Sequence, residues 1–281
     1  MTTGSGWPIC GVDFTSRPRK QKPITVATGR MRGRAFKLES IEEYCDWENY
    51  ESWLNRDGPW VAGLDYPFGL PREAVRDLGW PTTWHELVLH CRSLGRESFR
   101  TALDHYRESR PAGNRYAHRA TDLPAASHSP LKLVNPPVGL MFLEGAPRLL
   151  EAGITIPGLT KGDPLRIAFE AYPGFVARQM VKSSYKNDAR SKQTPQRMRA
   201  RKAIVAALAS SDNPFGFALS ASPRTLRSLV HDATGDRLDA VLCAMQAAWA
   251  WQRRSHNYGL PIEIDPLEGW IVMVPNAKGH R

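Results

Sequence analysis

Short apolar runs separated by turn residues fill the first part of the chain and predict β-strands. Three such runs span residues 9–14, 24–28 and 35–38. Residues 29–34 contain glycines that can turn the chain between the second and third runs, so an antiparallel meander is expected. Ser40, followed three residues later by Glu43, fits a capping box and predicts a helix that ends near residue 55. The continuously apolar residues 60–64 then predict a fourth strand, buried on both faces.

Helical periodicity and a proline-rich loop interrupt this pattern after the fourth strand. Helical segments are predicted near residues 72–78, 84–91, 97–108 and 138–152. The loop before the last of them contains Pro111, Pro124, Pro130, Pro136 and Pro137. Long loops of this kind are either functional or disordered, and both alternatives remain open. We interpret residues 71–160 as an insertion that could form a lid over a site.

The rest of the chain predicts one more strand followed by helices. The strand covers residues 165–169, and the helices lie near residues 174–181, 195–210, 224–232 and 236–251. Residues 262–264 and 270–274 favour a hairpin in the tail. No internal repeat is found. The chain is therefore predicted to be a single α/β domain over residues 1–281, with a mixed five-stranded sheet of three antiparallel and two parallel strands flanked by helices.

Composition favours a folded protein with a polyanionic partner. Hydrophobic residues make up 42% of the 281 residues, which is enough for a sizeable core. The formal net charge of +10 favours nucleic acid or an anionic membrane surface as a partner, although many basic proteins bind neither. No apolar stretch approaches the roughly 18 residues of a membrane span, and the first residues do not resemble a signal peptide. We therefore expect a cytoplasmic protein that does not enter the membrane.

The spacing of cysteines and histidines argues against a zinc or redox site. The four cysteines, which lie far apart and are expected to be small buried hydrophobes, are Cys10, Cys45, Cys91 and Cys243. His85 and His90 resemble the pair on a zinc-protease helix, but a spacing of five residues sets them about 140° apart around the helix axis. Glycine motifs for phosphate loops, dinucleotide turns and nucleophile elbows do not occur, so nucleotide cofactors are not expected.

Acidic residues stand at the ends of three predicted strands. Asp13, Asp65 and Glu170 each follow the last apolar residues of a strand. If the first, fourth and fifth strands are parallel neighbours, their carboxyl ends lie at one edge of the sheet and the three acids converge there. Asp236 and Asp239 project from one face of the last predicted helix. Alanines along that helix would let it pack closely on the sheet.

These carboxylates have the chemistry of a divalent-metal site. Carboxylates packed together repel one another unless a cation is present, and hard oxygen ligands suit Mg²⁺ or Mn²⁺. Two such ions, roughly 4 Å apart, can activate a water and stabilise the leaving oxygen of a phosphodiester. Local alternatives remain open: Asp236 as a helix N-cap, Asp65 and Glu170 as turn residues, and a structural Asp13. Asp13 is the hardest to explain structurally, because it interrupts an apolar strand.

Basic residues are concentrated next in sequence to two of these acids. Residues 17–37 hold eight Lys or Arg and no acid, while residues 182–202 hold eight with the single acid Asp188. These two basic windows could guide a phosphate backbone toward the acids, and a solvated basic surface is the alternative. The predicted contacts are Arg17, Arg19, Lys20, Lys182, Lys186, Lys192 and Arg197.

Four segments together resemble a known family. They are residues 11–16 (GVDFTS), 63–71 (GLDYPFGLP), 170–173 (EAYP) and 236–240 (DRLDA). In this order they are similar to an uncharacterised prokaryotic family of predicted ribonuclease H-like nucleases, which is distantly related to the RuvC Holliday-junction resolvases. The order of three strands, a helix and a fourth strand also fits the opening of a ribonuclease H-like fold, with the insertion following the fourth strand.

The resemblance implies roles for the acids. Asp13 would correspond to the first-strand aspartate of RuvC-like enzymes, Asp65 to their fourth-strand acid, and Asp236 with Asp239 to the two aspartates on their last helix. Asp65 is shorter than the glutamate that RuvC proteins carry, which changes its reach toward a metal. Glu170 lies on a strand where these enzymes do not usually place a metal ligand, so its role would be particular to the family or structural.

The same family has a pattern similar to the Arg-Ala-Thr-Asp of residues 119–122. The resemblance implies that Arg119 and Asp122, in the long loop of the insertion, take part in substrate binding or in a lid. We therefore include Arg119 among the predicted nucleic-acid contacts.

The expected function is metal-dependent hydrolysis of a nucleic-acid phosphodiester bond. Asp13, Asp65 and Asp239 are the predicted ligands of two Mg²⁺ or Mn²⁺ ions, with Asp236 and Glu170 as further catalytic acids. Two alternatives remain open. One is a nucleic-acid-binding protein that has lost catalysis, and the other is an enzyme that acts on a small phosphorylated molecule, since sugar kinases use the same sheet. The sequence does not distinguish DNA from RNA.

Overall fold

The centre of the protein is a mixed sheet of seven strands. The computed structural model describes residues 6–276. Within them the strands are β1 (Ile9–Asp13), β2 (Ile24–Arg32), β3 (Ala35–Tyr44), β4 (Trp60–Leu64), β5 (Ile154–Thr155), β6 (Asp163–Glu170) and β7 (Ala218–Ser220). Across the sheet they lie in the order β5-β6-β4-β1-β2-β3-β7.

The five middle strands are the predicted ones. β1 pairs antiparallel with β2 and β2 antiparallel with β3, whereas β1, β4 and β6 are parallel neighbours. This confirms the α/β class and the combination of three antiparallel strands with two parallel ones. The predicted total of five was too small, because the edge strands β5 and β7 have only two and three residues. Segments of that length are too short to show an alternating pattern.

The predicted capping box at Ser40 was wrong. β3 continues past Ser40, which pairs with Thr28 of β2. Because β2 is long enough to pair along the whole of β3, the ladder of backbone hydrogen bonds outweighs the local capping signal. The first helix, α1 (Trp47–Leu54), begins later, where the Asp46 carboxylate accepts a hydrogen bond from the backbone N–H of Asn49 at 2.9 Å.

Helices cover both faces of the sheet. After α1 they are α2 (Arg72–Asp77), α3 (Trp84–Glu108), α4 (Asp122–Ala125), α5 (Val138–Glu151), α6 (Pro173–Met180), α7 (Pro195–Leu208), α8 (Pro223–His231) and α9 (Asp236–Gln252). Apolar side chains of α1, α2, α3 and α5 form one core with the sheet, and those of α6 to α9 form a second core. Successive residues of β1 alternate between the two cores, with Cys10 in the first and Ile9 in the second. In the described part of the chain, no helix is both long and apolar enough to cross a membrane.

The insertion after β4 is built into the fold. Its helices α2, α3 and α5 pack in the first core, and its end supplies the edge strand β5. α3 joins two segments that the sequence predicts as separate helices, and it bends at Gly95, where φ is 68° and ψ is 171°. Glycine adopts such a conformation without steric cost, which explains why the helix bends at this residue. The bend lies between the two predicted segments.

The predicted hairpin of residues 262–264 and 270–274 was wrong, since neither segment forms a strand. The tail pairs with β6 instead: Ile271 makes a parallel bridge with Glu170, and the N–H of Val272 donates to the Glu170 carbonyl at 3.0 Å. β5 pairs with β6 only as far as Ile167. The last backbone groups of β6 are therefore free to pair with the tail.

Helix α9 packs directly against the backbone of the sheet. A Cβ atom added to Gly11 of β1 would lie 2.0 Å from the carbonyl oxygen of Ala240, and one added to Gly63 of β4 would lie 2.4 Å from that of Cys243. Side chains at these two positions would push the helix away. The expected close approach of this alanine-rich helix is confirmed, and it brings the start of α9 over the ends of β1 and β4.

Candidate metal centre

Asp13 and Asp65 lie side by side at the carboxyl edge of the sheet. Asp13 is the last residue of β1, and the N–H of Asp65, directly after β4, donates to the carbonyl of Val12 at 2.9 Å. Each acid follows by two residues a glycine that faces α9, Gly11 in β1 and Gly63 in β4. Because side chains alternate along a strand, both carboxylates point to the α9 face.

Asp239 of α9 is the third carboxylate at this edge of the sheet. It lies on the first turn of α9, where the close packing of the helix directs its side chain toward the strand ends. One carboxylate oxygen from each of Asp13, Asp65 and Asp239 lies within 4.8 Å of the others. Asp13 and Asp239 are buried, and Asp65 is partly exposed. The structure thus brings together the three predicted ligands, in a group that could hold a metal ion.

Asp236 faces a cation of its own. The Lys22 ammonium lies 2.7 Å from Asp236 and 3.1 Å from Asp188, so it links the loop after β1 to the segment before α7. Asp236 is buried at 6% exposure, but the three-carboxylate group does not include it. It is the first residue of α9, and Gly235 is the N-cap, so the N-cap alternative for Asp236 does not hold.

Both oxygens of Asp239 already have partners. The Tyr185 hydroxyl donates to Oδ1 at 2.5 Å, and the Lys186 ammonium forms an ion pair with Oδ2. Tyr185 is buried, whereas the Lys186 side chain is 39% exposed. One edge of the Asp239 carboxylate is therefore held by a neutral hydroxyl inside the protein, and the other by a cation that can reach solvent.

Burial raises the pKa of the strand-end aspartates. For Asp13, desolvation and then the charge of Asp236 raise the carboxyl pKa well above its ordinary value, although Lys186 and Lys22 lower it. For Asp65, desolvation is again the main cause and brings the pKa to about 7. Burial and the neighbouring negative charges make the ionised form of these carboxylates unfavourable. A bound cation would stabilise that form.

The charge of Lys186 is stabilised by the same carboxylates. Burial alone would lower the pKa of this ammonium, but Asp239, and with it Asp13 and Asp65, raise it well above its ordinary range. Lys186 is therefore charged and lies in the field of all three acids. The site already accommodates a positive charge, and its hard oxygen donors fit a divalent cation.

Glu170 ends its strand on the other face of the sheet. It lies in register with Leu64 of β4, one residue before Asp65, so its side chain points toward the insertion. Its carboxylate accepts hydrogen bonds from the backbone N–H of Phe68 at 2.9 Å and from the Arg119 guanidinium at 2.7 Å. The expected convergence of three strand-end acids therefore holds for Asp13 and Asp65 and not for Glu170.

Arg119 is buried at 3% exposure and joins three parts of the chain. Besides Glu170, its guanidinium donates to Asp122 at 2.9 Å and to the carbonyl of Glu268 at 3.0 Å. Burial, and to a smaller extent the charge of Asp122, raise the pKa of the Glu170 carboxyl, and the charge of Arg119 opposes that rise. In this arrangement Arg119 points into the protein, so its guanidinium is not presented to a phosphate.

The tail of the chain also holds the proline-rich loop in place. The Glu268 carboxylate accepts hydrogen bonds from the backbone N–H groups of Arg72 at 2.9 Å and Ala120 at 2.8 Å. The proline-rich loop is thus tied to β6, to the start of α2 and to the tail. These contacts describe a packed cover on the Glu170 side of the sheet, away from the three-carboxylate group.

The other predicted nucleic-acid contacts are at the surface, except Lys186, which pairs with Asp239. Arg17, Arg19, Lys20, Lys182 and Lys192 are exposed, and Arg197 is partly exposed on the first turn of α7. Lys22 and Lys186 connect the two basic windows to Asp236 and Asp239, so both windows meet at the site. The two basic windows, distant in sequence, are therefore adjacent in space.

The cysteines and histidines are placed largely as expected. Cys10, Cys91 and Cys243 are buried and unpaired, whereas Cys45 is exposed, contrary to the prediction, because it lies in the turn between β3 and α1. His85 and His90 lie on α3 of the insertion and, in the described residues, belong to no group of potential metal ligands.

Sequence reasoning missed several residues that shape the site. Tyr185 gives no signal in the sequence beyond its place beside Lys186. Lys22 belongs to the first basic window, but its partner Asp236 lies 214 residues away. The direction of Glu170 follows from the alternation of its strand, because Phe169 packs in the second core and the next side chain points to the other face.

Comparison with known proteins gives a family and no activity. A family model described as a protein of unknown function (DUF429) matches residues 11–261, a segment that contains all five predicted acids. No curated protein and no solved structure matches the chain. The resemblance to ribonuclease H-like nucleases therefore remains a prediction.

Proposed function

We propose that this chain, which belongs to the DUF429 family, is a metal-dependent nuclease that hydrolyses nucleic-acid phosphodiester bonds. The observation that carries the proposal is the convergence of Asp13, Asp65 and Asp239 within 4.8 Å at the carboxyl edge of a parallel part of the sheet. This edge is where open α/β sheets bind ligands. Carboxylates so close together need a cation, and Mg²⁺ or Mn²⁺ is the class that oxygen donors select.

A ribonuclease H-like fold is part of the proposal. The central order β6-β4-β1-β2-β3, antiparallel on the β2–β3 side and parallel on the β4–β6 side, supports it. So does a final helix that places an aspartate over the ends of β1 and β4. In this account β5, β7 and the insertion are additions at the edges of that arrangement.

Each residue of the site has a defined task in this proposal. Asp13, Asp65 and Asp239 would hold the cation, which when bound would acidify a coordinated water and neutralise charge on the phosphate. Tyr185 fixes the orientation of Asp239 through a hydrogen bond of 2.5 Å. Lys22 compensates the charge of Asp236 at 2.7 Å and keeps this acid beside the site.

The charge of the surface around the site supports a polyanionic substrate. Sixteen of the 38 basic residues lie in the two basic windows, and both windows reach the acids through a lysine. Exposed Lys and Arg side chains bind the phosphate backbone without reading sequence. They would therefore position a strand with a phosphate near Asp13, whatever its bases.

The proposal is tested by incubating the protein with single-stranded, duplex and branched DNA and RNA in the presence of Mg²⁺ or Mn²⁺. We expect at least one substrate to be cleaved, and cleavage to stop when a chelator removes the metal. Asp13→Asn keeps the size of the side chain and removes its charge, so the rate should fall by at least about 100-fold.

Asp57→Asn is the matched control, since Asp57 is exposed in the turn before β4, at the opposite end of that strand from Asp65. It should leave cleavage unchanged, and thermal unfolding should show that both variants fold. Equal cleavage by Asp13→Asn and the wild-type protein would contradict the site. Binding of nucleic acid without cleavage of any substrate would favour a catalytically inactive binding protein.

A further inference from the structure

Lys186 is part of the acidic site itself. Its ammonium forms an ion pair with Oδ2 of Asp239, an acid with no exposed surface. Its charge also acts on Asp13 and Asp65. No other basic residue in the described chain forms an ion pair with any of these three carboxylates. A lysine therefore lies where the carboxylates would otherwise repel one another.

The backbone around Lys186 is anchored on both sides. The buried guanidinium of Arg201 donates to the carbonyl of Tyr185 at 2.6 Å, and the N–H of Asn187 donates to the carbonyl of Ala233 at 3.4 Å. These bonds attach the segment to α7 and to the loop before α9. The position of Lys186 is set by the fold rather than by a flexible surface loop.

The side chain of Lys186 also packs closely against Gly235. A Cβ atom on Gly235 would come within 2.7 Å of the Lys186 Cβ and 3.2 Å of its Cδ. Gly235 has a φ of 82°, so it is also the residue that turns the chain into α9. The glycine leaves room for the aliphatic stem of Lys186 along the start of the helix that carries Asp239.

The charges at the site can be counted. Within the three-carboxylate group, Asp13, Asp65 and Asp239 face one ammonium group, that of Lys186, whereas Lys22 is shared by Asp236 and Asp188 outside the group. When all are ionised, two negative charges remain, which a single divalent ion neutralises. In carboxylate sites that hold two divalent ions, the second ion brings further positive charge to the carboxylates.

We infer that the Lys186 ammonium is a permanent positive charge of the site and replaces one of the two divalent ions of a two-ion carboxylate site. The protein would therefore bind one divalent ion per chain. The inference rests on the proposed metal site and goes beyond it by setting the number of ions. The ammonium stays near Asp239 and takes the place of the second ion.

The test is to count bound Mn²⁺ by calorimetric titration of the full chain, with electron paramagnetic resonance to detect spin coupling between paired ions. The variants are Lys186→Met, which keeps the stem and removes the charge, and Lys186→Arg, which keeps the charge. Lys161→Met is the matched control, since Lys161 is exposed in the turn before β6, at the end of that strand away from Glu170.

We expect one Mn²⁺ per chain and no spin coupling in the wild-type protein, in Lys186→Arg and in Lys161→Met. Lys186→Met should bind two ions with a coupled signal. Should Lys186→Met not fold, the wild-type and Lys186→Arg counts still decide. Two ions in the wild-type protein would overturn the inference and leave the metal site standing. No bound ion in the wild-type protein would overturn the proposed metal site and the inference with it.

Discussion

The Arg119 guanidinium donates hydrogen bonds to both carboxylate oxygens of Glu170, with N–O distances of 2.7 Å. The two residues are 51 positions apart, and both are almost fully buried. Burying such an ion pair costs much desolvation free energy. Losing one partner is strongly destabilising, because the other charge then stays buried without compensation. The pair fastens the loop of the insertion to the end of β6.

Replacing Arg119 by Met should therefore destabilise the fold strongly. Glu170 and Asp122 would be left as buried acids without a cation, and we expect the free energy of unfolding to fall by about 3–5 kcal/mol. Urea unfolding measures the change. Arg76→Met is the control: Arg76 is 73% exposed and pairs with Asp77 at the surface, so its loss should cost less than about 1 kcal/mol. Equal, small changes in both variants would contradict the role of the buried pair.

The close contact of Gly11 with α9 makes a second prediction. In Gly11→Ala the new methyl group would lie 2.0 Å from the carbonyl oxygen of Ala240, so the helix must move. We expect the free energy of unfolding to fall by at least about 1–3 kcal/mol and Mn²⁺ binding to weaken, because Asp239 moves with the helix. Gly6→Ala, at a position with open space, should change neither quantity. Unaltered Mn²⁺ affinity in a folded Gly11→Ala protein would contradict the dependence of the site on α9 packing.

The raised pKa of Asp65 predicts a dependence of stability on pH. Its usual pKa is 3.8 and burial raises it to about 7, so between these values the folded chain keeps a proton that the unfolded chain has lost. With a chelator present, Asp65 therefore makes the free energy of unfolding fall as the pH rises, by at most about 4 kcal/mol. Asn does not titrate, so Asp65→Asn should lose less stability than the wild-type protein between about pH 5 and about pH 8. Parallel pH profiles for the two proteins would contradict the prediction.

The exposed lysine Lys182 gives a prediction about nucleic-acid binding. If it contacts a phosphate, Lys182→Met should weaken binding equally for different sequences. It should also reduce the slope of log affinity against log salt by about 0.9. Fluorescence anisotropy at several salt concentrations measures the slope. Arg254→Met is the control, because Arg254 follows the far end of α9, about 25 Å from Asp236 along the helix. The same slope change in both variants would indicate a uniform charge effect rather than a basic surface at the site.

Much of the sheet and of the acidic group could be predicted from the sequence. The places of Asp13 and Asp65 at strand ends could be predicted, because each acid follows an apolar run of strand length. The spacing of Asp236 and Asp239 determined their shared side of one helix. These features follow from local periodicity, which a single sequence displays directly.

What the sequence could not predict depends on pairing between distant segments. Ser40 carries a capping signal, yet its strand partner Thr28 decides its conformation. The partners of Glu170 and Asp239 come from the insertion and from the segment before α7, and no local pattern announces them. The edge strands β5 and β7 are too short to be recognised without their neighbours.

Anomalous scattering from a crystal of the protein grown with Mn²⁺ would show whether Asp13, Asp65 and Asp239 bind a divalent metal ion. We expect one anomalous peak about 2.0–2.3 Å from carboxylate oxygens of all three residues, and no such peak in Asp13→Asn. A second peak beside the first would contradict only the role of Lys186. A wild-type crystal that contains Mn²⁺ but shows no peak among these three aspartates would contradict the metal centre and, with it, the proposed nuclease.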